Sequence, residues 1–186
     1  GDIYSGIKNR FLPSGYLEWG LPLFKPTNNW TQIIEPRARL TVMREMDAET
    51  FATNNDSAGT ILTDTTLFSD NRFAGLDLWE NGTYADYGVR WAAFNEDGTN
   101  VEIFLGQSYD FTERPDTELD TGFRDGLSDY VGRVSYNNMK WLNVATRFRL
   151  NQDTLALRHM ETSANIGSAR NFFNVGHIWS QHWNTE

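Results

Sequence analysis

The chain has 186 residues, enough for one domain, and its hydrophobic residues, 39% of the total, never gather into the run of about 18 that a membrane-spanning helix needs. A formal net charge of -9 excludes a nucleic-acid binder, because neutralising phosphates takes clustered Lys and Arg, and here the charges are interspersed. With no cysteine, neither a disulfide framework nor a thiolate metal site can form within the chain.

In chain order, strand patterns begin at residues 2–10 and 15–24, the second placing Leu17, Trp19, Leu21 and Leu23 on one face. Residues 32–43 alternate Ile34, Ala38, Leu40 and Val42, with Pro36 among them, against Glu35, Arg37, Arg39 and Thr41. Residues 83–94 set Ala85, Tyr87, Val89, Trp91 and Ala93 against Asp86, Gly88 and Arg90. Residues 100–112 set Val101, Ile103, Leu105, Tyr109 and Phe111 against Glu102, Gly106, Ser108 and Asp110, with Phe104 and Gln107 out of phase. Residues 128–136 oppose Tyr130, Val134 and Tyr136 to Asp129, Arg133 and Ser135. The cleanest pattern, 141–150, opposes Leu142, Val144, Phe148 and Leu150 to Asn143, Ala145, Arg147 and Arg149, and places Val144 near the middle of a span. Weaker patterns at 155–164 and 172–183 bring the total to about nine strands, each near the roughly 9 to 11 residues that cross a bilayer at a tilt. Pro22 and Pro36 fall inside strand patterns, and each predicts a strand end, a bulge or weak pairing, since proline has no N–H to give a ladder.

The connections add a second signal. In a meander they alternate between two sides, and the long ones, 44–81 and 113–127, fall on the same side while every connection on the other side is short. Asn95, Glu96, Asp97 and Gly98 make a polar hairpin turn in which Gly98 supplies a positive φ. The 44–81 connection is too long for a mere link. Its first half is small and polar and is expected to be mobile or variable, whereas Phe68, Asp70, Arg72, Phe73 and Asp77 are expected to anchor its second half on the outer rim of a barrel, through apolar burial and charge-assisted hydrogen bonds.

Residues able to carry chemistry do not converge. The 25 Asp and Glu and 7 Trp have the composition of a glycoside hydrolase, but most off-strand acids cluster in the two long loops and read as solvated surface. No segment has the ligand spacing of a Ca²⁺ loop, His177 and His182 would point to opposite faces of one strand, with His159 elsewhere, and no GxSxG occurs. No catalytic residue, metal ligand or cofactor is therefore expected. What remains is a charged face of Glu35, Arg37, Arg39, Asp86, Arg90, Glu102, Asp129, Arg133, Arg147 and Arg149. Ordinary solvent exposure explains any one of these strands, but the opposite face is continuously apolar and the sequence holds no second sheet or helix to cover it. Lipid is the simplest cover, and the charged face then lines a water-filled lumen where guanidinium groups can meet anionic sugars and phosphates. The expected fold is all-β, an antiparallel up-and-down transmembrane β-barrel segment of about nine strands from a larger barrel.

A run of motifs sharpens this. GYLEWGLPL, IIEPRARL, LFSDNRFAGLD, GVRW, GQSYDF, SDYVGRVS and RFRLNQDTL, in that order across most of the chain, resemble the barrel domain of the LptD family of LPS-assembly proteins. The resemblance implies a non-enzymatic segment of the translocon that delivers lipopolysaccharide to the outer leaflet, located in the cell outer membrane and surrounded by its lipid. It also implies an LptE-type plug lipoprotein inside the barrel and an LptA-type periplasmic bridge reached through an amino-terminal jellyroll. On that reading residues 1–186 are an interior part of one barrel domain, with the jellyroll and the barrel's ends outside the chain. The alternatives are another large outer-membrane barrel such as a substrate channel, or a soluble sugar-binding β-sandwich, which would need Greek-key connections and two inward apolar faces.

Overall fold

The computed structural model describes residues 13–43, 62–69, 82–112, 123–124, 126–138, 140–168 and 170–181. Among them one antiparallel sheet of eleven strands accounts for the fold, and no helix occurs. The strands are β1 (Ser14–Gly20), β2 (Leu23–Pro26), β3 (Trp30–Met43), β4 (Gly82–Asn95), β5 (Asn100–Asp110), β6 (Phe123–Arg124), β7 (Leu127–Ser128), β8 (Tyr130–Asn138), β9 (Leu142–Leu150), β10 (Leu157–Gly167) and β11 (Phe172–Ser180). Their spatial order, β1-β3-β4-β5-β8-β9-β10-β11, is a meander and not a Greek key. The sheet does not close: among the described residues, β1 with β2 forms one edge and β11 the other.

Two departures from simple alternation have local causes. Residues 15–24 form two strands, because Gly20↔Arg37 and Leu23↔Ile34 keep one register while Leu21 and Pro22 stand opposite Pro36 and Glu35. Two prolines in facing strands remove two ladder donors, and the Leu21 N–H to Pro36 carbonyl bond of 3.1 Å spans the gap. The pattern at 155–164 begins only at Leu157, because the Asn151 carboxamide oxygen accepts the N–H groups of Asp153 and Thr154 at 2.9 and 2.8 Å and holds a turn in which Leu155 takes a φ of 56°. The 113–127 connection contains the short β6–β7 hairpin, which joins the sheet through Tyr109↔Leu127. The predicted strand at 2–10 lies outside the described residues, and the 172–183 strand ends at Ser180.

Register carries the two-faced pattern through the whole sheet. Ile34 faces Trp91, Trp91 faces Ile103 and Ile103 faces Val134, while Tyr136 faces Val144, Val144 faces Ala164 and Ala164 faces Val175. These residues are apolar yet uncovered: Val89 and Leu105, at the middle of β4 and β5, are each 44% exposed. Tyr109, Tyr130 and Trp179 stand near the long-loop end of this face, and Trp30, Tyr136 and Phe173 near the short-turn end. Aromatic residues at both ends of an apolar band are the pattern of interfacial girdles.

The register also corrects one expectation. Val144 is level with Tyr136 and Val101, two residues from the short-turn end of β9, so the middle of the band belongs to Val89 and Leu105. At the other end, the β3–β4, β5–β8 and β9–β10 connections, including both long ones, leave from the same side. Tight turns close the opposite side; in the β4–β5 turn Gly98 has φ 87° and its N–H bonds the Asn95 carbonyl at 3.1 Å.

Candidate functional site

Arginine and carboxylate alternate across the polar face from β1 to β8. Arg37 on β3 reaches Glu18 on β1 at 2.5 Å and lies 3.9 Å from Glu35. Arg90 on β4 lies 3.5 Å from Glu35 and grips one Glu102 oxygen on β5 through Nε at 2.9 Å and Nη2 at 2.6 Å, and Glu102 also accepts from Arg133 on β8. Every second residue of a strand shares a face, so the period of the sequence puts these charges on one side of the sheet, and register decides which of them meet. Half-exposed pairs of this kind contribute little one at a time, and a continuous row matters chiefly by keeping one face wet and charged.

The row is covered in part by a segment from the first long connection. Residues 62–69 form a compact turn in which the Thr63 N–H bonds the Thr66 hydroxyl at 2.9 Å and the Leu67 N–H bonds the Thr63 carbonyl at 3.0 Å. Leu62 and Leu67 pack with Phe104 and Val131 in a small core on the charged side of the sheet. Phe68 meets the Phe104 ring edge-on, with centroids 6.3 Å apart; the Arg37 guanidinium lies 4.8 Å from its ring, and its carbonyl accepts from Arg39 at 2.6 Å. Phe104, out of phase in the strand pattern, is explained by this contact. Gln107, the other exception, sits on the apolar face with its amide satisfied by the Tyr87 hydroxyl at 2.6 Å and the Ser128 carbonyl at 2.8 Å.

Asp64 completes the docking. It is buried, and its carboxylate lies 3.1 Å from Arg147 Nε and 3.5 Å from an Arg133 nitrogen. The loop is thus held by apolar side chains and by one carboxylate shared between two arginines. Gly106 makes room for it, since a Cβ there would collide with the Leu67 side chain, the Phe104 ring and the Tyr87 carbonyl. Gly106→Val is expected to cost about 1 to 3 kcal/mol of packing and to expel the segment. Limited proteolysis checks this: the variant should be cut within 62–69 faster than the wild type, and equal rates would mean that Leu67 does not rest on Gly106.

A second ionic cluster closes the long-loop end. Asp129, between β7 and β8, lies 3.3 Å from Arg158 and 3.6 Å from Arg149, and accepts the Gln152 N–H at 3.2 Å. Its burial raises the carboxyl pKa even though both arginines pull the other way. Arg39 and Asp86, both buried, face each other across β3 and β4.

All ten residues expected on the charged face lie on it or, for Asp129, at its rim, in three groups: the row through Arg37, Glu35, Arg90, Glu102, Arg133 and Arg147, the facing residues Arg39 and Asp86, and the rim cluster of Asp129 and Arg149. Sequence reasoning missed Glu18, which alternation opposite Leu17 and Trp19 could have found, and Arg158, which no local signal marks; it read Asp64, with the other acids of the long loops, as solvated surface, whereas its side chain is buried between two arginines. Of the expected loop anchors, Phe68 is placed against the charged face of the sheet, and Asp70, Arg72, Phe73 and Asp77 lie outside the described residues, as does the polar first half of that connection. His159 shares the charged face and meets the Ser180 hydroxyl at 2.7 Å, His177 is on the apolar face, and His182 lies outside the described residues.

Comparison with known proteins agrees with the motif resemblance. The family model for LPS transport system D, LptD, matches residues 4–182. The LPS-assembly protein LptD of Aeromonas hydrophila subsp. hydrophila is 25% identical over 162 residues, a stretch covering 81% of this chain and 20% of that protein. The chain therefore spans about a fifth of the length of the curated relative it matches. With a family match over nearly its entire length and a two-faced antiparallel meander to go with it, the chain belongs to the LptD family.

Proposed function

We propose that this chain forms part of the wall of an outer-membrane barrel that assembles lipopolysaccharide into the outer leaflet. The apolar face meets membrane lipid, and the charged face, with Glu35, Arg37, Arg39, Asp86, Arg90, Glu102, Arg133, Arg147 and Arg149, lines the lumen with Asp129 at its mouth. The observation that carries this reading is a sheet whose apolar face is uncovered at mid-strand while the opposite face bears a continuous row of ion pairs. A soluble two-layer sandwich needs a partner for the apolar face and Greek-key connections, and the sheet is a meander. The wall is structural and non-enzymatic: it excludes lipid from an aqueous path wide enough for sugar chains. In this reading a plug lipoprotein of the LptE type packs inside the lumen, and a periplasmic bridge of the LptA type delivers lipopolysaccharide to a jellyroll domain of the same protein.

Cysteine labelling in the full-length protein tests the orientation. Ser135→Cys should react with a water-soluble maleimide and its neighbour Val134→Cys should not, with the order reversed for a lipid-soluble reagent. Equal reaction at both would remove the lumen assignment. Depletion of the protein should leave newly made lipopolysaccharide unreachable by antibody on intact cells, and unchanged surface lipopolysaccharide would remove the transport assignment.

A further inference from the structure

On the charged face, each arginine of the row from β1 to β5 sits between carboxylates: Arg37 between Glu18 and Glu35, Arg90 between Glu35 and Glu102. Between β8 and β9 the alternation fails. Arg133 and Arg147 stand directly opposite each other in register, an arrangement in which like charges repel. Glu102 lies on the far side of Arg133, and Glu161 faces Arg147 from β10, so the doubled cation is confined to this one strand pair. No strand supplies an anion between the two. Asp64 supplies it from the covering segment, buried to 3% exposure and within ion-pair distance of both guanidiniums. The arginines themselves remain 31% and 42% exposed, so a solute on the charged face can reach them.

We propose that Arg133 and Arg147 form an anion-binding subsite on the lumen wall, and that Asp64 is its resident occupant, held in place by the burial of Leu62, Leu67 and Phe68 and displaced by an anionic saccharide. Two guanidiniums from adjacent strands present several N–H donors to one point, which suits the oxygens of a phosphomonoester or a sugar carboxylate. The carboxylate of Asp64 offers two oxygens to that point and mimics such a group. The segment 62–69 then acts as a removable cover whose carboxylate offsets one of the two positive charges when no ligand is present and whose apolar side chains return it afterwards. This rests on the reading that the charged face lines an aqueous lumen, and it adds a specific stopping point for negative charge along that path.

The experiment uses the full-length protein in detergent, with N-acetylglucosamine 1-phosphate as probe, inorganic phosphate as the sugar-free anion and N-acetylglucosamine as the uncharged control, followed by titration calorimetry. Asp64→Asn keeps the side-chain shape and removes the competing charge; it should bind both phosphates at least tenfold more tightly than the wild type and leave the uncharged sugar unchanged. Adding Arg147→Gln to Asp64→Asn should abolish the gain. Phosphate binding by Asp64→Asn no tighter than by the wild type, or a gain that survives Arg147→Gln, would overturn the proposal. A preference for the sugar phosphate over inorganic phosphate would support a saccharide ligand, and the reverse order would refute it. Unchanged heat-modifiable migration of both variants checks that they fold. The Ser135→Cys labelling separates the two levels: with lumen labelling intact and no gain in phosphate binding, the subsite alone is wrong, whereas failed labelling removes the lumen reading beneath it.

Discussion

Val89→Arg in the complete barrel is expected to destabilise the folded state by roughly 2 to 4 kcal/mol, the cost of an arginine on the lipid face near the bilayer midplane. Val89 sits at the middle of β4, on the apolar face, half exposed and level with Leu105 on β5. A guanidinium there must either lose its hydration or drag water into the hydrocarbon. Val144→Arg is expected to cost only about 0 to 1 kcal/mol, because register places it near the short-turn end of the band, where the side chain reaches the interface. Removing a charge from the opposite face by Arg147→Gln should also cost little: Arg147 is itself 42% exposed and its loss leaves Arg133 to pair the buried Asp64, so about 1 kcal/mol is expected. Equilibrium unfolding in urea with lipid vesicles ranks the three. If Val89→Arg and Arg147→Gln unfold at the same urea concentration, the apolar face does not meet lipid.

The second large effect is expected at the rim. Asp129 is buried and is the shared carboxylate of two arginines whose side chains are 9% and 11% exposed. Asp129→Ala leaves both guanidiniums buried with their common anion gone, and removing one member of a buried ionic group costs about 3 kcal/mol or more. The raised pKa of Asp129 shows that burial outweighs the arginines in its own ionisation, yet the charge is still what the two cations face. The Gln152 N–H would also lose its acceptor, loosening the turn between β9 and β10. Asp97→Ala on the exposed β4–β5 turn serves as the control and should leave the unfolding midpoint in place. A midpoint for Asp129→Ala equal to that of Asp97→Ala would mean that the arginines are held by other groups.

Alternation of polar and apolar residues determined the all-β class, the meander and the assignment of side chains to faces, as strands β3, β4, β5, β8 and β9 illustrate. The reason is geometric: a strand side chain points up or down by parity, and the partner residue across a ladder shares its face, so a pattern of period two survives assembly of the sheet. Residues such as Arg90 and Glu102 were legible as sharing a face for the same reason, but not as partners, since register sets Arg90 opposite Phe104 and makes the contact with Glu102 diagonal. Depth was not legible. A sequence pattern has no membrane axis, and only the register, running from Met43↔Gly82 to Val144↔Ala164, moved Val144 off the centre and put Val89 there. That Pro22 and Pro36 fall in one gap of the ladder was likewise a matter of register. The covering segment was the least visible part. Leu67 and Phe68 announced by their hydrophobicity that they would be buried, but the surface that buries them is made by Gly106, Phe104 and Val131, which are separate in the chain and share a face only in the sheet. Asp64 shows the limit most plainly, because its role comes from two arginines on neighbouring strands, and only the tertiary structure brings that charge to them.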